Sequence, residues 1–130
     1  MSNPPSSRRS LRLLLVEDSA DDGELVSLAL SRGGLAFTLD RVETEPDFEA
    51  ALAKAPDAVL CDFHLPAFSC ARALRMVHER CPGTPFIIVS RHIAESDLLS
   101  LREEGVAGFV RKNRLEDLSA AITRALSREG

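Results

Sequence analysis

Near the middle of the chain runs Val59-Leu60-Cys61-Asp62-Phe63-His64-Leu65-Pro66. A short apolar run ends on one carboxylate, and a proline follows soon after. No polar residue alternates within the run, which suits a strand buried on both faces of a helix-covered parallel sheet. Asp62 then stands at the carboxyl end of that strand, where open α/β sheets collect their ligands.

The segments on either side repeat the pattern. Leu11 to Val16 is a first apolar run ending in Glu17-Asp18, and Ser19 offers an N-cap to a helix whose acidic first turn (Asp21, Asp22, Glu24) suits its dipole. Leu25, Leu28 and Ala29 recur at helical spacing, and Gly33-Gly34 ends the helix. Phe37 and Leu39 alternate with Thr38 and Asp40, as on a half-exposed edge strand. Thr44 caps a second helix with Pro46 in its first turn and a buried stripe of Phe48, Ala51, Leu52 and Ala55.

Beyond Asp62, Cys70, Leu74 and Val77 mark a third helix, and Phe86 to Val89 is a further apolar strand ending on Ser90. Leu98 and Leu101 belong to a fourth helix, with Gly105 placed for a left-handed cap. Gly108 to Val110 is a brief strand leading to Lys112, and Leu115, Leu118, Ile122 and Ala125 line a last helix. Five strands alternating with five helices imply a doubly wound α/β fold: a five-stranded parallel sheet with helices on both faces. The polar alternation of the second strand favours an edge and so the order 2-1-3-4-5.

Composition narrows the function. The net charge of -4 gives no reason to expect direct nucleic-acid binding, which usually needs a basic face. No apolar stretch approaches the roughly 18 residues of a membrane span, and the N-terminus lacks a signal-peptide core, so the expected location is cytoplasmic. Apart from Met1 and Asn3, residues 1–10 are Ser, Pro and Arg with little to bury and are expected to be a disordered leader, leaving one domain over 11–128. Cys61, Cys70 and Cys81 match neither a disulfide framework nor a zinc knuckle.

Four strands end on a reactive group: Glu17-Asp18, Asp62, Ser90 and Lys112. In a parallel sheet these ends share one rim. Crowded carboxylates there call for a cation, and an all-oxygen set with room for water suits Mg²⁺. Lys112 adds a point charge able to pair with Asp62 or an anion upon it.

This set resembles the receiver domain of bacterial two-component response regulators, over Leu11 to about Ser127. Leu-Leu-Val-Glu-Asp-Ser is similar to that family's acidic segment, Cys-Asp-Phe-His-Leu-Pro to its phosphoacceptor segment, Ile-Ile-Val-Ser to its hydroxyl strand and Gly-Phe-Val-Arg-Lys to its lysine strand. The resemblance implies a flavodoxin-like fold in which Asp62 accepts a phosphoryl group from a histidine kinase or phosphotransfer protein. It implies Mg²⁺ held by Glu17, Asp18, Asp62 and the backbone carbonyl of His64. Ser90 would contact the phosphoryl group, Lys112 would pair with it, and Phe109 would change rotamer. The surface of the fourth helix, fifth strand and fifth helix would then bind a downstream protein target or fused domain, with homodimerisation through the last two helices a further expectation. Such a chain is not a turnover enzyme.

Asn113 stands where the family usually has proline, Arg91 and Ala67 where small residues commonly follow the hydroxyl and the Leu-Pro, and Cys70 where glycine is frequent. Arg91 is bulky enough to narrow access to Asp62. His64 and His92 each lie two residues past a site residue, at positions that the resemblance ties to the lifetime of the phosphoryl group. There is no GxGxxG after the first strand and no P-loop. The alternative from another class is a receiver fold used only for docking and never phosphorylated, which loss of the acidic pair, Asp or Lys would favour. None is lost.

Overall fold

Strand β3 (Ala58–Cys61) is buried at every position and lies at the centre of a five-stranded parallel sheet ordered β2-β1-β3-β4-β5. The structure, a computed structural model, describes residues 10–129, and the side chains only as far as 127. Of the expected leader over 1–10, residues 1–9 lie outside the described residues. Around β3 the chain runs β1 (Leu11–Val16), α1 (Ala20–Arg32), β2 (Phe37–Val42), α2 (Glu45–Leu52), α3 (Cys70–Arg80), β4 (Phe86–Ser90), α4 (Glu95–Glu103), β5 (Gly108–Arg111) and α5 (Leu118–Glu129). A 3₁₀ segment, Lys112–Asp117, joins β5 to α5.

All strand pairs are parallel, and the register aligns Val16 with Cys61, Cys61 with Ile88 and Ile88 with Phe109. Because successive strand residues face opposite sides, the two faces carry separate cores. Val59 and Cys61 pack with Phe48, Leu74 and Val77 beneath α2, α3 and α4. Ala58 and Leu60 pack with Val26, Leu30, Leu118 and Ile122 beneath α1 and α5. Each large side chain taken fully out of water here contributes about 1.5–3 kcal/mol. β2 is the half-exposed edge, alternating as its sequence suggested.

Capping explains where the helices begin. The Ser19 and Thr44 hydroxyls accept the amides of Asp22 and Asp47, and Ser69 does the same for Arg72 at the start of α3. Gly105 follows α4 with φ of 115°, the left-handed backbone expected of it.

Three sequence expectations need correction. In α1 the inward stripe is Val26 and Leu30, while Leu25 and Leu28 are exposed, because β1 and α5 meet the helix one position round from the simplest apolar repeat. Ala55 is not part of the buried stripe of α2: the helix ends at Leu52 and Ala55 turns at φ of 57° into Pro56. Leu115 belongs to the 3₁₀ segment, so α5 starts only at Leu118.

Candidate functional site

The parallel register brings the ends of β1, β3, β4 and β5 to one rim. Glu17 follows β1 with its amide on the Val42 carbonyl (3.0 Å), and the Asp62 amide bonds the Val16 carbonyl (3.0 Å). The first bond ties the end of β1 to β2, and the second holds the β1 and β3 ends side by side. Glu17 and Asp62 are 1% and 6% exposed, whereas Asp18 faces solvent. One carboxylate oxygen from each of the three lies within 4.8 Å of the others.

Lys112, immediately after β5, reaches into this cluster with a side chain only 6% exposed. Its ammonium contacts Glu17 Oε1 at 2.7 Å, Asp22 Oδ2 at 2.8 Å and Asp62 Oδ2 at 2.9 Å. All three N–H directions are therefore used. Burial works against the charge on Lys112, but the carboxylates of Asp22, Glu17 and Asp62 together outweigh it and hold the ammonium more firmly protonated than an ordinary lysine. Glu17 goes the other way: burial lifts its carboxyl above the usual range despite the bond from Lys112. Asp22 is lowered, chiefly by its bond from Lys112 and against the cost of burial.

The two oxygens of Asp62 have different partners. Oδ2 is held by Lys112, and Oδ1 accepts the His64 amide at 3.1 Å. Above them the loops after β3 and β4 touch, with the His64 ring Nε2 2.6 Å from the His92 carbonyl. The Ser90 hydroxyl, wholly buried, donates to that same carbonyl at 3.2 Å and does not bond Asp62. Phe109 is half-buried on the strand beside Ser90, with the Arg111 guanidinium 5.5 Å above its ring.

The site residues expected from the sequence do not stand on equal terms, and Phe109 pairs with Ile88, two residues short of the rim. Glu17, Asp18, Asp62 and Lys112 converge directly. Ser90, His64 and His92 form the loop contact beside them, with His92 contributing its backbone while its side chain is exposed.

Sequence reasoning missed two contributors. Asp22, read only as a dipole partner, points from the first turn of α1 into the cluster and also binds Arg91 Nη2 at 3.0 and 3.2 Å. Arg91 consequently lies against Asp22. Arg41 crosses α1 from β2 and donates to the Glu17 carbonyl at 2.9 Å. Its path runs over Gly23, where an added Cβ would come within 2.7 Å of Arg41 Cδ. A glycine inside an otherwise regular helix is the signal that marks such a close approach.

The donor set suits Mg²⁺. Three carboxylates offer oxygen alone, which hard divalent cations prefer, and one remains solvent-exposed so that bound waters can be retained.

Comparison with known proteins agrees with this geometry. A family model described as the response regulator receiver domain matches residues 13–123. A protein-glutamate methylesterase/protein-glutamine glutaminase of Anaeromyxobacter dehalogenans is 34% identical over 79% of this chain and 29% of its own length. The DNA-binding transcriptional regulator NtrC of Escherichia coli is 26% identical over 87% of this chain and 24% of its own. The chain therefore spans about a quarter of the length of these curated relatives. Among solved structures, the signal receiver domain of a protein described as a LuxO repressor from Vibrio parahaemolyticus superposes with a TM-score of 0.82 at 24% identity, covering 92% of each chain. The beryllofluoride-activated NtrC4 receiver domain dimer gives 0.81 at 18%, over 92% of this chain and 98% of that one. At those identities the structural matches speak for the fold.

Proposed function

Since the chain belongs to the response regulator receiver domain family, we propose that it is a phosphorylated switch of two-component signalling, with Asp62 as the phosphoacceptor. The observation that carries this reading is the shared contact of Lys112 with Glu17 and Asp62, inside a set of carboxylates close enough to hold one cation. The donor is a phosphohistidine of a histidine kinase or phosphotransfer protein. An Asp62 oxygen attacks phosphorus, a P–O bond forms, and the P–N bond breaks with its electron pair leaving on the imidazole.

Such a transfer needs alignment and charge neutralisation more than covalent help from the protein. The His64 amide and Lys112 fix the two Asp62 oxygens, so the nucleophile is already oriented. Glu17, Asp18, Asp62 and the His64 carbonyl would hold Mg²⁺. When bound, the ion would neutralise the carboxylates and the incoming phosphoryl charge. Lys112 then exchanges its bond to Asp62 for one to a phosphoryl oxygen.

The modified Asp62 carries additional negative charge and new acceptor oxygens. The Ser90 hydroxyl leaves the His92 carbonyl for one of them, which draws in the loop after β4 and lets Phe109 pack into the vacated space. That biases the face of α4, β5 and α5 toward a partner protein or a fused domain. Self-association through α4 and α5 is part of the same proposal, and the relatives' esterase and DNA-binding activities are not carried over.

Intact mass after incubation with acetyl phosphate tests the reading. Wild type with Mg²⁺ gains one phosphoryl group, while Asp62→Asn and metal-free wild type gain none. An unmodified wild type would leave the domain as a docking module.

A further inference from the structure

Asp22 alters the charge balance of the pocket. Glu17, Asp18 and Asp62 opposed by Lys112 alone would leave two negative charges, which one divalent cation cancels. The contact of Asp22 with Lys112 at 2.8 Å adds a third negative charge, and Arg91 at 3.0 and 3.2 Å removes it again. The pair is thus neutral overall, but its two members differ in freedom. The Asp22 side chain is 12% exposed and fixed by Ser19-capped helix α1, whereas the Arg91 side chain is 70% exposed at the end of a long stem.

The position of Arg91 matters as much as its charge. It follows Ser90 directly, at the end of β4, and Asp22 Oδ2 receives both Arg91 and the ammonium that holds Asp62. On Asp22 only Nη2 of Arg91 is engaged, bonding both carboxylate oxygens, so the rest of its fork is free to donate a parallel pair of bonds to phosphoryl oxygens. Phosphorylation of Asp62 would place such oxygens on the side of the pocket where Arg91 is held.

We propose that Arg91 is a second phosphoryl-binding cation, retained on Asp22 while Asp62 is free and handed to the phosphoryl oxygens once Asp62 is modified. The proposal rests on the reading of Asp62 as phosphoacceptor. Asp22 is the positioning residue: it keeps Arg91 near without letting it collapse onto Asp62, and it competes with the phosphoryl group for both cations. Asp22 therefore sets how readily the pocket accepts an anion.

Beryllofluoride binding in the presence of Mg²⁺, followed by amide chemical shifts, separates this role from a merely structural ion pair. If Arg91 serves only to neutralise Asp22, Arg91→Ala changes nothing once Asp22→Asn has removed that charge. If Arg91 contacts the phosphoryl group, Arg91→Ala still weakens binding in the Asp22→Asn background, by about tenfold for a lost charge-assisted contact. The loss is larger there than in wild type, because Asp22 no longer competes. A silent Arg91→Ala in the Asp22→Asn background overturns the proposal while leaving Asp62 intact. Equal binding by wild type and Asp62→Asn overturns the Asp62 reading, and this one with it.

Discussion

Replacing Lys112 by methionine removes the cation and keeps most of the aliphatic stem. Glu17 and Asp62 then face one another with oxygens no more than 4.8 Å apart and no ammonium between them. At an effective dielectric of about 20, that pair alone repels by about 3 kcal/mol. Deleting one partner of a buried ion cluster commonly costs about 3–5 kcal/mol. Part of that is offset, since the buried ammonium also loses its own desolvation cost and the acids can take up a proton. Urea unfolding at neutral pH without divalent ions should therefore show a loss of about 3 kcal/mol with an unchanged m-value. The pH dependence has a definite sign. Without Lys112 the Glu17 carboxyl, already lifted by burial, loses the bond that opposed the lift, so protonation favours the folded state and the deficit shrinks between about pH 7 and about pH 5. The wild-type Lys112 contribution is fully present below the ordinary lysine pKa of about 10.4, so it does not titrate in that window. Mg²⁺ should also narrow the deficit. A deficit equal at both pH values, or a variant more stable than wild type at pH 7, would refute the electrostatic account.

Burial holds the Glu17 carboxyl above its usual range, so its proton competes with the cation, and Mg²⁺ affinity should fall as the pH is lowered from about 7 to about 5. A pH-independent affinity by titration calorimetry would exclude Glu17 as a ligand. His64→Ala removes the 2.6 Å contact to the His92 carbonyl that joins the two loops above Asp62. Dephosphorylation should then quicken roughly threefold, the worth of a modest hydrogen bond; superimposable decay curves would assign the histidine no part in phosphoryl lifetime. Beryllofluoride with Mg²⁺ should alter amide exchange from Ser90 through β5, because Ser90 must surrender the His92 carbonyl to meet the new oxygens. An unchanged exchange map there would remove the switch.

The fold was legible because uninterrupted apolar runs such as Val59 to Cys61 and Phe86 to Val89 can be buried only between two layers of helices. The alternation at Phe37 and Leu39 placed β2 on the edge for the same reason. Strand ends carry their terminal residues to the rim whatever the loops do, so Glu17, Asp18, Asp62 and Lys112 could be assembled from sequence. Asp22 could not. Its chemistry suits a helix first turn equally well, and only the packing of α1 beside the 3₁₀ segment that begins at Lys112 decides that it meets Lys112 instead of water. The stripe of α1 failed similarly, since Leu25 and Leu28 obey helical spacing but the sheet selects Val26 and Leu30. Arg91 pairs with a residue 69 positions away, a distance at which local sequence carries no register.

Asp62 alone should carry the phosphoryl group, and borohydride trapping reports which carboxyl does. Reducing the protein after phosphorylation converts an acyl phosphate to the corresponding alcohol with release of phosphate. Peptide sequencing should find homoserine at position 62 and aspartate unchanged at 18 and 22. Homoserine at either of those positions, or none anywhere in phosphorylated protein, would contradict the account.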